Sequence, residues 1–129
     1  MQVRDLLSTE VESARLLLCA HGWAHRIESS EWFAQLVAAS QRTAVAVDAG
    51  EVVGFARGIT DGLSNGYLSM VVVAPGHRGK GVGAALVKHI FGEDAGVTWV
   101  VRTGREGARE FFAQSGFVVS TAAMERVRV

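Results

Sequence analysis

Four glycines, at positions 76, 79, 81 and 83, bracket Arg78 and Lys80 just after the apolar run Val71-Val72-Val73-Ala74-Pro75. Val82, Ala85, Leu86, His89 and Ile90 then recur at helical spacing. A strand that runs through a glycine-rich loop into a helix is suited to holding an anion. Glycine lets backbone amides come close to a ligand. Consecutive amides at the positive end of a helix dipole attract negative charge. Arg78 and Lys80 add formal charge, and no carboxylate occurs between Gly62 and Gly92. The chemistry that suits such a loop is the binding of a pyrophosphate.

Three ligand classes compete for it. A P-loop nucleotide site needs Lys followed by Ser or Thr to hold magnesium, but Gly81 follows Lys80. A dinucleotide site is matched in pattern by Gly79, Gly81 and Ala84. Its context is wrong, because the loop comes late, after antiparallel strands, and the next strand ends at Arg102 instead of at an acid for a ribose. The third class is coenzyme A.

Two motifs bear on the third class. Arg78-x-x-Gly81-x-Gly83 follows a strand carrying Val73 and Pro75, and Ala108-x-x-Phe111-Phe112-x-x-x-Gly116-Phe117 closes a later helix. In both, the chain resembles the GNAT superfamily of acetyl-CoA-dependent N-acyltransferases. The resemblance is strong over residues 67–117 and weaker before. The stretch Gly54-x-x-Arg57-x-x-x-Asp61-Gly62 looks like a branch of small bacterial members.

The resemblance implies an α/β (α+β) fold with a mixed, mostly antiparallel central sheet of 6–7 strands. About four helices flank it, and two parallel central strands splay apart. It implies acetyl-CoA as co-substrate, with pantetheine along Val71, Val72 and Val73. The diphosphate would lie on Arg78, Gly79, Lys80, Gly81, Val82, Gly83 and Ala84. A neutral primary amine, on a small molecule or a protein, would attack the thioester directly, with the Val71 N–H stabilising the oxyanion.

The chain departs from the family pattern at two positions. Phe112 stands where many members have a thiolate-protonating tyrosine, and Arg105 where many have an asparagine. Tyr67, Ser69 and Ser115 are substitutes for the missing hydroxyl, and Tyr67 also for a base. Phe112 is expected to face the coenzyme sulfur and Arg105 a phosphate. Trp23, Glu28 and Asp61 are the acceptor-side candidates, the two acids by attracting a cationic amine. Phe112 also motivates an alternative from another class, a non-catalytic acyl-CoA-binding or regulatory module.

The elements that must position these residues are read from periodicity. A short strand over residues 3–7 precedes a helix capped by Thr9, with Glu12 completing a capping box. Ser29 or Ser30 caps a second helix carrying Trp32, Phe33, Leu36 and Val37. Strands over residues 43–47 and 52–59 join through Asp48-Ala49-Gly50 as a hairpin. A third strand spans residues 67–73. After the glycine loop and its helix, residues 97–101 form a strand buried on both faces. Residues 108–114 form a short helix ended by Gly116. Residues 117–120 and 124–129 read as strands, the last alternating as a half-exposed edge would.

Composition bounds the rest. A chain of 129 residues, 49% apolar and 20% charged, suits one domain over residues 1–129 with a packed core. Net charge is zero, with five basic and eight acidic residues up to Gly66 and eight and five thereafter. A dedicated nucleic-acid or membrane binder would be clearly basic. No apolar run approaches the ~18 residues of a membrane span. Asp5 falls where a signal peptide would turn apolar. The single cysteine, Cys19, excludes an internal disulfide and favours the reducing cytoplasm. His21 and His25 lack a third ligand, so no metal is expected. The terminal strand offers an edge for a homodimer.

Overall fold

The computed structural model describes residues 1–93 and 95–129. Strand β1 (Gln2–Asp5) leads through a 3-10 turn into helix α1 (Val11–Leu18). A kinked turn, Cys19–Trp23, and a 3-10 turn, Ala24–Arg26, join α1 to helix α2 (Ser30–Ala38). Strands β2 (Arg42–Asp48), β3 (Glu51–Thr60) and β4 (Asn65–Val73) follow. Helix α3 (Val82–Phe91), strand β5 (Thr98–Val101) and helix α4 (Ala108–Ala113) complete the order.

The sheet runs β1-β2-β3-β4-β5, antiparallel throughout except for the parallel β4–β5 pair. The β2–β3 turn has positive φ at both Ala49 and Gly50, as a two-residue type I′ hairpin requires. The Ser29 side chain accepts from the Trp32 N–H at 3.1 Å and starts α2.

Each face of the sheet carries one core. On one face α3 packs Val82, Leu86, Val87 and Ile90 against Ala44, Val53, Ala56 and Leu68, and Phe112 of α4 joins them. Glycines in β3 let α3 sit close. A methyl on Gly54 would stand 2.9 Å from Leu86 Cδ1, and one on Gly58 2.6 Å from Ile90 Cγ2. On the other face α1 and α2 bury Ala14, Leu18 and Phe33 against Val45, Phe55, Met70 and Val72.

The end of α4 follows its sequence signals closely. The Gly116 N–H donates to the Ala113 carbonyl and the Phe117 N–H to the Phe112 carbonyl, both at 3.1 Å, closing a Schellman turn around a left-handed Gly116. The Phe112 and Phe117 rings meet edge-on at 5.6 Å, the apolar contact such turns favour.

Four expectations are corrected. Five strands form among the described residues, not 6–7, because residues 117–120 and 124–129 are not strands. Phe117 is drawn into an aromatic cluster with Phe91 and Phe112, while Val118, Val119, Met124 and Val127 stay exposed. Alternation is a local property, whereas pairing needs a partner strand. In consequence β5 is an edge and not a central strand, with Thr98 and Val100 exposed, and is not buried on both faces. Finally, the reach-back carboxylate at the start of the first helical segment is Glu10, which accepts from the Leu7 N–H at 2.9 Å. Glu12, expected in that role, pairs with Arg15 one turn on. No helix among the described residues is long and apolar enough to cross a membrane.

Candidate active site

The site begins where β4 and β5 part. Their parallel register runs from Asn65↔Thr98 to Leu68↔Val101 and stops, while β4 continues to Val73. Beyond Leu68 the β5-facing edge of β4 therefore has no strand partner among the described residues. On its other side β4 shifts register against β3. Phe55 faces Val72 but Arg57 faces Ser69, so Met70 and Val71 together oppose Ala56. Met70 takes φ of +55°, costly for a side chain of its size. It tolerates this because its side chain is buried in the α1/α2 core. Such a bulge re-aims backbone and side chains locally, and here it does so beside the open edge.

The glycine loop follows β4 directly. The Ala74 N–H donates to the Val53 carbonyl at 2.8 Å, and His77 Nε2 lies 2.9 Å from Asp48 Oδ2, so the loop is fastened to the β2–β3 hairpin. Arg78 Nε donates to the Val73 carbonyl at 2.9 Å. Gly81, in the left-handed conformation at φ +82°, starts α3, and the first helical bond runs from the Ala85 N–H to the Gly81 carbonyl at 3.0 Å. Within 3.5 Å, the amides of residues 79–84 make no backbone hydrogen bond among the described residues. A methyl built on Gly76, Gly79 or Gly81 would meet nothing within 4 Å, so the loop's outer side is open. Gly83 serves packing instead, since a methyl there would stand 2.7 Å from the Phe111 ring. These six amides, Arg78, Lys80 and a helix N-terminus concentrate positive charge and donors of the kind that attract an anion.

The remaining sequence candidates fall into place around this frame. Tyr67 and Ser69, two apart on β4, share the α1/α2 face and are half-buried. Tyr67 and Asp61 line one shallow groove of about 420 Å³ together with Ile59, Thr60, Asn65 and Val100. Asp61 faces inward on its own turn. Its carboxylate accepts from the Leu63 and Ser64 N–H groups at 2.8 Å, from the Asn65 N–H at 3.2 Å and from the Ser64 hydroxyl. The Ser64 amide and these other donors hold its pKa far below the usual carboxylate range. Glu28 is exposed at the end of the α1–α2 connection. Phe112 is 7% exposed and brings no proton donor.

Arg105 takes a position that the sequence did not suggest. Its guanidinium lies 3.9 Å from the centre of the Trp23 ring and donates to the carbonyls of His21 and Gly22. It straps the β5–α4 loop to the α1–α2 connection. Trp23 is correspondingly half-covered. Sequence reading also missed the Met70 bulge, for which no glycine gives a signal, and the Asp48–His77 fastening. Arg57 Nε donates to the Ser40 hydroxyl at 2.7 Å.

Comparisons with known proteins agree with this geometry. No curated protein matches the chain. Among solved structures, a GNAT family protein of Streptococcus pneumoniae superposes with a TM-score of 0.80 at 22% identity, over 99% of this chain and 95% of that one. A Xanthomonas campestris protein assigned to the GNAT family gives 0.77 at 23% identity, over 99% and 94%. The ribosomal-protein-alanine N-acetyltransferase of Brucella melitensis biovar Abortus gives 0.74 at 18% identity, over 100% of both. At these identities the likeness is one of fold. Residues 39–119 match the acetyltransferase (GNAT) domain. That match spans β2 to the Schellman turn, including the fork and the glycine loop, and the chain belongs to the GNAT acetyltransferase family.

Proposed function

We propose that the protein transfers an acetyl group from acetyl-CoA to a primary amine, by direct attack within a ternary complex. One observation supports this above others. Six consecutive amides, at residues 79–84, make no backbone hydrogen bond within 3.5 Å among the described residues, and they follow a strand whose own edge has no paired strand there beyond Leu68. A diphosphate with a long, amide-bearing arm has one end for each feature.

Acetyl-CoA supplies an activated thioester. The chain's own groups supply binding and placement. Gly79, Lys80, Gly81, Val82, Gly83 and Ala84 offer amides to the diphosphate, with charge from Arg78 and Lys80. Val71, Val72 and Val73 offer the backbone edge to the pantetheine arm. The Val71 N–H, beside the bulge, donates to the thioester oxygen as negative charge develops there. Tyr67 and Ser69 present hydroxyls near the fork that can relay the proton released by the amine. Phe112 donates none, and a thiolate of reference pKa near ~8.5 can leave without help. Positioning of two substrates carries much of the rate.

Calorimetric titration with acetyl-CoA, followed by thiol release over a panel of amines, tests the reading. Binding together with amine-dependent thiol release is the expected result. Binding with no release from any amine would favour the non-catalytic acyl-CoA-binding alternative that Phe112 suggests. No binding at millimolar acetyl-CoA would remove both.

A further inference from the structure

Arg57 is only 9% exposed, yet its sole side-chain partner is a neutral hydroxyl. Its Nε donates to Ser40 Oγ at 2.7 Å, and Ser40 Oγ in turn donates to the Leu36 carbonyl at 2.7 Å. Both terminal nitrogens lack a hydrogen bond, and no carboxylate oxygen among the described residues comes within 4.0 Å. Other arginines are better compensated. Arg4 meets Glu10 through two bonds, Arg15 meets Glu12, Arg102 meets Glu125, and Arg42 donates to the carbonyls of Ile90 and Phe91. A buried cation without a counter-charge is strongly unfavourable. Trp99 Nε1 is the one fully buried side-chain nitrogen without a partner among the described residues. The terminal nitrogens of Arg57, by contrast, are not fully enclosed.

The position of this cation is informative. Arg57 lies directly across from Ser69, the first β4 residue past the last β4–β5 pair. Its side chain is on the α1/α2 face, as its bond to Ser40 shows, and Tyr67 lies on the same face of the neighbouring strand. The glycine loop runs into α3 on the opposite face. A coenzyme arm entering from the α3 side leaves the α1/α2 face to the second substrate.

We propose that Arg57 is a specificity residue for the acceptor, binding the carboxylate of a small amino acid or ω-amino acid whose amine is then acetylated at the fork. This rests on the acetyl-transfer reading above. The planar guanidinium, fixed at Nε by Ser40, keeps its two terminal nitrogens for a paired contact with one carboxylate. A carboxamide, an ester or an unsubstituted alkylamine leaves that charge uncompensated.

The test uses acetyl-CoA with matched acid and carboxamide acceptors: α-amino acids, β-alanine, γ-aminobutyrate and 6-aminohexanoate against their amides. Thiol release gives kcat and KM, and calorimetry gives acetyl-CoA affinity in parallel. For the wild type at least one acid should exceed its amide by about 100-fold or more in kcat/KM. In Arg57→Gln that preference should fall below about threefold, mainly through KM, with acetyl-CoA affinity retained; Arg57→Lys should keep part of it. Amides accepted as well as acids would overturn the proposal, and so would an acid preference that survives in Arg57→Gln. If acetyl-CoA binds but no acid in the panel is turned over or bound by the loaded protein, the proposal also fails while the acetyl-transfer reading stands. Failure to bind acetyl-CoA removes both. Should Arg57→Gln not fold, the wild-type comparison of acids with amides decides alone.

Discussion

The indole of Trp99 lies against the backbone of Gly66, its partner in the parallel β4–β5 register. A methyl built on Gly66 would stand 2.5 Å from Trp99 Cε3. The ring has little freedom to yield, because Phe91 packs on it at 5.2 Å and Gly58 lies beneath its far edge. This contact fastens the two strands two residues before they part. Gly66→Ala should therefore destabilise the fold by about 1–3 kcal/mol, as overpacking does. Urea denaturation measures it, and an unchanged midpoint would contradict the packing described.

The glycine cradle makes a graded prediction. Arg78→Glu places a repelling charge beside the phosphates, and Gly81→Asp adds both a charge and a side chain at φ +82°. Each should weaken acetyl-CoA binding by at least about tenfold. Arg105→Ala should change it by less than about threefold, since that guanidinium is held by Gly22 and Trp23. Calorimetry on the three variants gives the order, and Arg105→Ala as the most damaging would contradict it.

Asp61 predicts a pH effect. Its amide donors favour the ionised form, so its folded pKa lies below the ordinary value. As pH falls, the unfolded chain takes up this proton first. The stability contributed by Asp61 is thus complete above the unfolded pKa, about 3.9, and is lost as pH falls toward the folded one. Asp61→Asn should flatten the acid limb of stability below about pH 4. Denaturation midpoints from pH 2 to 7 test this, and parallel acid limbs for the two proteins would contradict it.

Phe112 gives a packing prediction independent of catalysis. Its ring meets Phe111 at 4.9 Å and Phe117 at 5.6 Å, both edge-on. Phe112→Ala should cost about 3–5 kcal/mol and loosen α4, visible as a lower thermal midpoint. A loss under about 1 kcal/mol would mean that the aromatic cluster collapses onto the gap.

What the sequence made legible was local. Ser29 as a cap, Asp48-Ala49-Gly50 as a hairpin and Gly116 as a helix stop each depend on one residue type meeting one backbone demand. The glycine loop was legible for the same reason. Less was visible where distant parts of the chain decide. The tail alternates like a strand but has no partner strand among the described residues, and Met70 forms a bulge because core packing overrides its backbone preference. Arg105 and Arg57 were both singled out as residues, but their partners, Trp23 and Ser40, are 82 and 17 positions away. No short motif encodes such pairs.

Amide chemical shifts followed during an acetyl-CoA titration report directly where the coenzyme lies. The largest changes should fall on residues 79–84, with a second set at Val71 and Val73 along the open edge of β4. Changes confined to other surfaces, or none at saturating ligand, would contradict it.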